Sequence, residues 1–459
     1  MQLLPALNLQ LNPSQPDVVA FVGGGGKSSA LFRLAQEIVA SRQRVIVTTT
    51  THISQEQLQS QPAYVSVNGD QLPLEVLVRA LDEHGSCLVI SEVLEHSVRG
   101  IAPELVDQLV AQAKVLGIVA VLVEADGSRR LPFKAPGAHE PVLPASTTLL
   151  VPVMGLDAIG APLDEVHVHR VAAVRRILQL PPDDQAARLT PRMAAQVLVD
   201  TQGGAKSLPS GARLLPLLNK AEGVIQLASA RLIAHQLTQQ GYACLIGAVG
   251  VDQSDPVLER WAPVAAVVLA AGQSSRMGRA KQLEIVDGEA MVVRAVRMAL
   301  QSAVDQVFVV TGAYADAVTA TLAPLLDEAG NRLRLIHNSD WQTGQASSIR
   351  TAAQTLSTLS ETEFGAALFM PTDQPFAPPA LLQQLIRAWR TGARIVAPLV
   401  DGQMRGAPAL FDCSLWPEML MLKGDIGARP LLQKYRSEVI TLPVHAHLLH
   451  DIDTPQDLI

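Results

Sequence analysis

Short runs rich in Val, Ile, Leu and Ala recur along this chain, each set off from the next by a longer stretch with helical periodicity. In the first half they read DVVAFVG, VIVTTTT, SCLVIS, GIVAVLVEAD, TTLLVPVM and LLPLLN; in the second VAAVVLAA, DQVFVVTG, RLRLIHN, AALFMPTD, ARIVAPL and SEVITLPV. Runs that are apolar throughout suit strands buried on both faces, and the intervening helices suit crossover connections. The expected fold class is α/β, with parallel sheets covered by helices.

At 459 residues the chain exceeds what one ordinary core can organise, so more than one domain is expected. The stretch GVDQSDPVLERWAPV, residues 250–264, has the Pro, Asp and Ser content of a connector, and a fresh strand begins just after it. The expected domains are 1–255 and 263–459, with no internal repeat relating them. A 48% hydrophobic and 17% charged composition supplies material for both cores and argues against disorder. The net charge of -7 disfavours a broad nucleic-acid or membrane footprint, so an anionic ligand has to be met by local groups. Cys87, Cys244 and Cys413 form no CxxC pair, and neither a signal peptide nor a membrane span is legible; a reducing, cytoplasmic setting is expected.

The stretch VVLAAGQSSRMGRAKQL, residues 267–283, is the most chemically informative segment of the second half. A strand runs through Leu269 and Ala270 and ends at Ala271 and Gly272, where missing side-chain bulk lets a nucleotide approach the backbone of all four. The following loop, through Ser274, Ser275 and Gly278, offers amides and hydroxyls, with Arg276 and Lys281 as a charge clamp for a triphosphate beyond the carboxyl end of the sheet. A solvated basic loop would read similarly. Asp373 follows the strand AALFMPT and Asp453 sits in DIDTP. Asp373 suits Mg2+, and Asp453 would be a second oxygen ligand arriving from the far end of the domain, since Mg2+ takes one or two carboxylates plus phosphate oxygens and water; each could instead cap a turn or a helix.

LAAGQSSRMGRAKQL resembles the signature of the molybdenum cofactor nucleotidyltransferases, in particular their cytidylyltransferase branch. MPTDQP, RGAPALF, GDIGAR and DIDTPQDL follow in that family's order over residues 264–459. The resemblance implies a nucleotide-diphospho-sugar-transferase-like (MobA-like) domain. It also implies a reaction in which CTP and molybdopterin give molybdopterin cytosine dinucleotide and pyrophosphate, with Arg276, Lys281 and Asp373 catalytic. The guanylyl branch typically has Gly where Ala271 stands, and the extra methyl would crowd a purine. Gln345, Ala346 and Ala407 depart from the family pattern on the side that would hold the pterin.

In the first half FVGGGGKSSALF follows a strand and opens a helix, the context of a phosphate-binding loop, although Phe21 breaks the standard spacing. Gly24, Gly25 and Gly26 would approach a phosphate, Lys27 would reach it, and Ser28 would be a metal ligand. The run VAVLVEADGSRRLPFKAPGAHEPVLP then ends a strand in Glu124 and Asp126 and offers Arg129, Arg130 and Lys134 to an anion; LLNKAE carries Glu222 where a base-reading motif would have Asp. Residues 17 to about 250 resemble the YqeC-like accessory proteins of selenium-dependent molybdenum hydroxylases. That resemblance implies a P-loop-like nucleotide-binding domain and a client hydroxylase. Taken together the chain reads as two Rossmann-like three-layer domains in molybdenum cofactor maturation. A cytidylyltransferase for another phosphorylated metabolite, and a non-catalytic cofactor carrier or insertion chaperone, are the alternatives.

Overall fold

The computed structural model describes residues 1–69, 71–181, 184, 186–250, 254–274, 277–359 and 363–458. Contacts divide the chain into two units, Met1–Trp261 and Ala262–Ile459, each built on its own sheet. Among the described residues no helix is long and apolar enough to cross a membrane.

The first unit has a main sheet of β1 (Asp17–Gly23), β2 (Arg44–Thr49), β3 (Tyr64–Ser66), β4 (Ser86–Ile90), β5 (Ile118–Glu124), β6 (Leu149–Gly155), β7 (Leu217–Asn219), β8 (Cys244–Gly247) and β9 (Val257–Trp261), in the order β9-β8-β7-β6-β1-β5-β2-β4-β3. Every neighbouring pair in this path is parallel except β8 and β9. Because side chains alternate along a strand, β1 feeds two cores. Val19 and Phe21 pack with Leu31, Leu34 and Ile38 of the helix Lys27–Ala40, whereas Val18, Ala20 and Val22 pack with Leu77, Leu81, Leu105 and Leu109 of the helices Leu74–His84 and Pro103–Ala111. Helices therefore cover both faces, and β1 lies at the point where the chain changes direction along the sheet.

Part of the stretch that reads as a connector is strand. In β9 the residues Val257, Glu259 and Trp261 face inward. A glutamate at a buried position hides the alternation, and it is tolerated because Trp261 Nε1 donates to it at 2.8 Å and Arg231 Nε at 2.9 Å.

The second unit has β10 (Val264–Ala270), β11 (Gln306–Thr311), β12 (Leu333–His337), β13 (Ala366–Pro371), β14 (Ile395–Val400), β15 (Gln403–Met404), β16 (Ala409–Asp412) and β17 (Val439–Pro443). Their order is β12-β11-β10-β13-β16-β14-β15, with β17 alongside β14. The sheet is mixed and not wholly parallel as the sequence suggests: β16 runs antiparallel to both β13 and β14. Its four residues are too short a run to stand out, and all are buried. The helix Gln345–Thr358 covers one face through Ile349, Ala353 and Leu356 against Val267 and Phe308. The helices Met291–Leu300 and Pro379–Arg390 pack on the sheet outside that cluster.

Candidate functional site

In the second unit the carboxyl ends of β10 and β13 open into a cleft of about 820 Å3. Leu269, Ala270, Ala271, Gly272 and Ser274 line it, as do Lys281, Asp373 and Asp453. Ser275 and Arg276 lie outside the described residues, and Gly278 is on the turn that follows, with φ of 71°. The loop is shaped by its own polar groups. Ser274 Oγ accepts from Lys281 N at 3.1 Å and donates to Gln282 Oε1 at 3.1 Å. Gln282, only 3% exposed, reaches back to the Ala270 and Gly272 carbonyls at 3.4 and 3.3 Å. A serine and a buried glutamine thus fold the loop over so that Lys281 faces β13.

There Lys281 Nζ donates to Asp373 Oδ2 at 2.7 Å and to Asp453 Oδ1 at 2.6 Å. Asp453 is brought in by the segment 451–453, whose Ile452 N–H donates to Asp373 O at 2.9 Å. Burial pushes the Asp373 carboxyl up against the pull of Lys281, and neighbouring Asp451 and Asp453 push the same way. Burial would lower the Lys281 ammonium, but Asp373 and Asp453 outweigh it and hold it raised, so this cation persists through the neutral range. Arg279 by contrast turns to Glu284 at 2.6 Å and is exposed.

The far wall of the cleft depends on a contact the sequence does not announce. Gln345 N–H donates to Asp425 Oδ1 at 2.9 Å and Ala346 N–H to Gly424 O at 3.1 Å, so GDIGAR caps the start of the helix Gln345–Thr358. Beneath it Asn338, 2% exposed, donates to Ser347 and Ser348 at 2.7 and 3.0 Å. Ala346 is buried and Ala407 half-buried, and Ala271 is 4% exposed, its methyl group in the apolar core.

In the first unit the glycine loop also sits at a strand's carboxyl end, but its backbone is bonded to the protein. Gly23 N–H is shared by the two Asp126 oxygens at 3.1 and 3.0 Å, Gly24 N–H donates to Val153 O at 2.9 Å, and Gly25 N–H to Leu131 O at 3.2 Å. Glycine is required for this close packing: a Cβ on Gly25 would fall 2.1 Å from Gly155 N, at a φ of +77°. A Cβ on Gly26 would meet Asn219 Nδ2 at 2.2 Å.

Lys27 is buried and points inward, donating to Gly23 O at 2.8 Å and pairing with Asp126 at 3.2 Å and Glu124 at 3.7 Å. Ser28 Oγ donates to Glu124 Oε2 at 2.7 Å. Burial raises the Glu124 carboxyl, against the pull of Lys27 and Ser28. Lys134, expected to be available to an anion, is instead buried between Asp126 at 2.9 Å and Glu140 at 2.6 Å. Arg129 and Arg130 are exposed, the latter paired with Glu56 at 3.1 Å. Asn219 holds the loop itself, donating to Gly25 O at 2.9 Å, and Glu222 is exposed. The sequence shows the glycines and the acids; it does not show that the acids spend their charge on two buried lysines.

A model of the YqeC protein family matches residues 19–172, and a model of the MobA-like NTP transferase domain matches residues 266–439. The uncharacterized protein YqeC of Escherichia coli (strain K12) is 34% identical over 206 residues, which span 45% of this chain and 77% of that protein. Among solved structures, Rv0371c from Mycobacterium tuberculosis H37Rv is 28% identical over 42% of this chain and 95% of its own, with a TM-score of 0.37. A nucleotidyl transferase from Methanothermobacter thermautotroptrophicus (Mth528) is 25% identical over 42% of this chain and 94% of its own, with a TM-score of 0.35.

Proposed function

This chain belongs to the YqeC family and carries a MobA-like NTP transferase domain, and from that premise we propose that its second unit transfers CMP from CTP to the phosphate of molybdopterin. The observation that carries the reading is the convergence of Lys281 on Asp373 and Asp453 at 2.7 and 2.6 Å inside the cleft. Among the described residues no group of three or more His, Cys, Asp and Glu side chains could enclose a metal. Two carboxylates meeting at one cation are nonetheless the hard oxygen donors Mg2+ takes when phosphates and water complete its shell. Asp373 and Asp453 would hold it, and when bound it would neutralise charge on the phosphates of CTP.

The protein's own part is positioning. The backbone of residues 270–274 would lie along the nucleotide, and Lys281 would share its ammonium between the aspartates and the phosphates. An oxygen of the acceptor phosphate bonds to the α-phosphorus as the bond to the β-phosphate oxygen breaks and pyrophosphate leaves. The acceptor phosphate is already ionised near neutrality, so no general base is needed. Arg276 belongs to the same proposal as a phosphate contact. The first unit would act as a nucleotide-binding accessory in maturing a client molybdenum hydroxylase. The test is an assay of the purified chain with molybdopterin and each of CTP and GTP, reading pyrophosphate and the pterin product. A product carrying cytosine supports the reading; pyrophosphate release with neither nucleotide, or only with another phosphorylated acceptor, rejects it.

A further inference from the structure

Strand order fixes what lies at each end of the cleft. Asp373 follows β13, Ala271 follows β10, Gly312 follows β11, and Trp341 stands just beyond the end of β12. These strands are consecutive neighbours, and Trp341 folds back from β12 onto Gly312 at the end of β11, two strand spacings from β13, about 10 Å at about 4.8 Å per step. Trp341 opens the short 3-10 turn Trp341–Thr343, and it lines the cleft while its inner edge packs on the core. Gly312 lets it come close to Ala271: a Cβ at Gly312 would lie 2.8 Å from both the Trp341 and the Ala271 Cβ atoms. The remaining tryptophans are buried, Trp261 at 6%, Trp389 at 1% and Trp416 at 7% exposed.

We propose that Trp341 is the platform on which the base of the bound nucleoside triphosphate stacks, making it a base-binding residue over the end of β11, in the same cleft as Lys281, Asp373 and Asp453. This rests on the reading that the cleft holds a nucleotide with its phosphates at Lys281. The chemistry is that of any flat π-system: an indole face accepts a nucleobase by offset stacking, strongly and with little dependence on which base is offered. Trp341 therefore supplies affinity for a ring, and the discrimination between rings falls to its neighbours near Ala271.

The experiment uses the full chain. Binding of CTP, GTP, inorganic triphosphate and 6-hydroxymethylpterin is measured by calorimetry and, in parallel, by tryptophan fluorescence, in wild type, Trp341→Phe and Trp341→Ala. A nucleotide that binds is expected to quench wild-type fluorescence, and the change should vanish in Trp341→Phe, where the other tryptophans remain. Trp341→Ala should weaken that nucleotide by roughly ten-fold, with Trp341→Phe within about three-fold of wild type. Triphosphate affinity should be the same in all three, which also reports that the cleft is folded. If CTP binds by calorimetry with no Trp341-dependent quenching and equal affinity in Trp341→Ala, the stacking role is wrong while the cytidylyl reading stands. If GTP binds and quenches where CTP does not, Trp341 stacks a base and the cytidylyl reading fails. Quenching by the pterin alone, or no binding of either nucleotide, overturns the proposal.

Discussion

Lys281 Nζ lies 2.6 Å from Asp453 Oδ1 across 172 residues of chain, so the end of the second unit completes a site begun at its first strand. The same ammonium reaches Asp373 at 2.7 Å, and the three side chains are one electrostatic unit. Altering any member changes the charge that the other two experience.

Asp373→Asn is expected to lower cytidylyl transfer by roughly two to three orders of magnitude, since it removes a preorganised charge beside the phosphates. Circular dichroism should be unchanged. The measurement is pyrophosphate release over a Mg2+ titration; turnover near wild type at saturating Mg2+ would remove Asp373 from the metal site.

CTP is expected to be preferred over GTP, and Ala271→Gly to narrow the gap. The Ala271 methyl is buried, so its effect on a base would be transmitted through the spacing between the ends of β10 and β11. Competition of the two nucleotides in one reaction reads the ratio directly. A wild type that uses both equally defeats the steric argument.

Lys27→Ala is expected to destabilise the first unit by about 3 kcal/mol, because it strips a partner from Glu124 and Asp126 in a buried setting. Transfer by the second unit should be almost unchanged, and a fragment beginning near Val264 should fold and transfer by itself. Calorimetric unfolding alongside the transfer assay tests both. Loss of transfer in a folded Lys27→Ala protein would mean the two glycine loops serve one coupled site.

Glu140 gives a pH signature. Burial raises its carboxyl, but hydrogen bonds from Arg170 and Lys134 prevail and bring it from 4.5 to about 2. A depressed carboxyl stabilises the fold fully above its unfolded value and loses that contribution as pH falls toward its folded one. Glu140→Gln should therefore be less stable than wild type at pH 6, and the difference should close between about pH 4.5 and 2. Urea midpoints across that range test it; a gap that does not depend on pH would assign the loss to packing.

The sequence by itself determined that both halves are α/β, the long buried strands of each sheet and the loops at the carboxyl ends of β1 and β10. It could do so because a buried strand leaves its record in consecutive residues: Val264–Ala270 and Ile118–Glu124 are apolar almost throughout. It also picked out Lys281, and it joined Asp373 and Asp453 as two oxygen ligands for one Mg2+. What it could not give was the ion pairing of Lys281 with both aspartates, the capping of Gln345 by Asp425, or the inward turn of Lys27 and Lys134. A charge drawn out of water needs a partner, and which partner it meets depends on strand order and on where distant segments cross. The antiparallel insertion of β16 and the path of residues 451–453 over β13 are decisions of that kind. Local periodicity records that a position is buried; only the packed structure records against what.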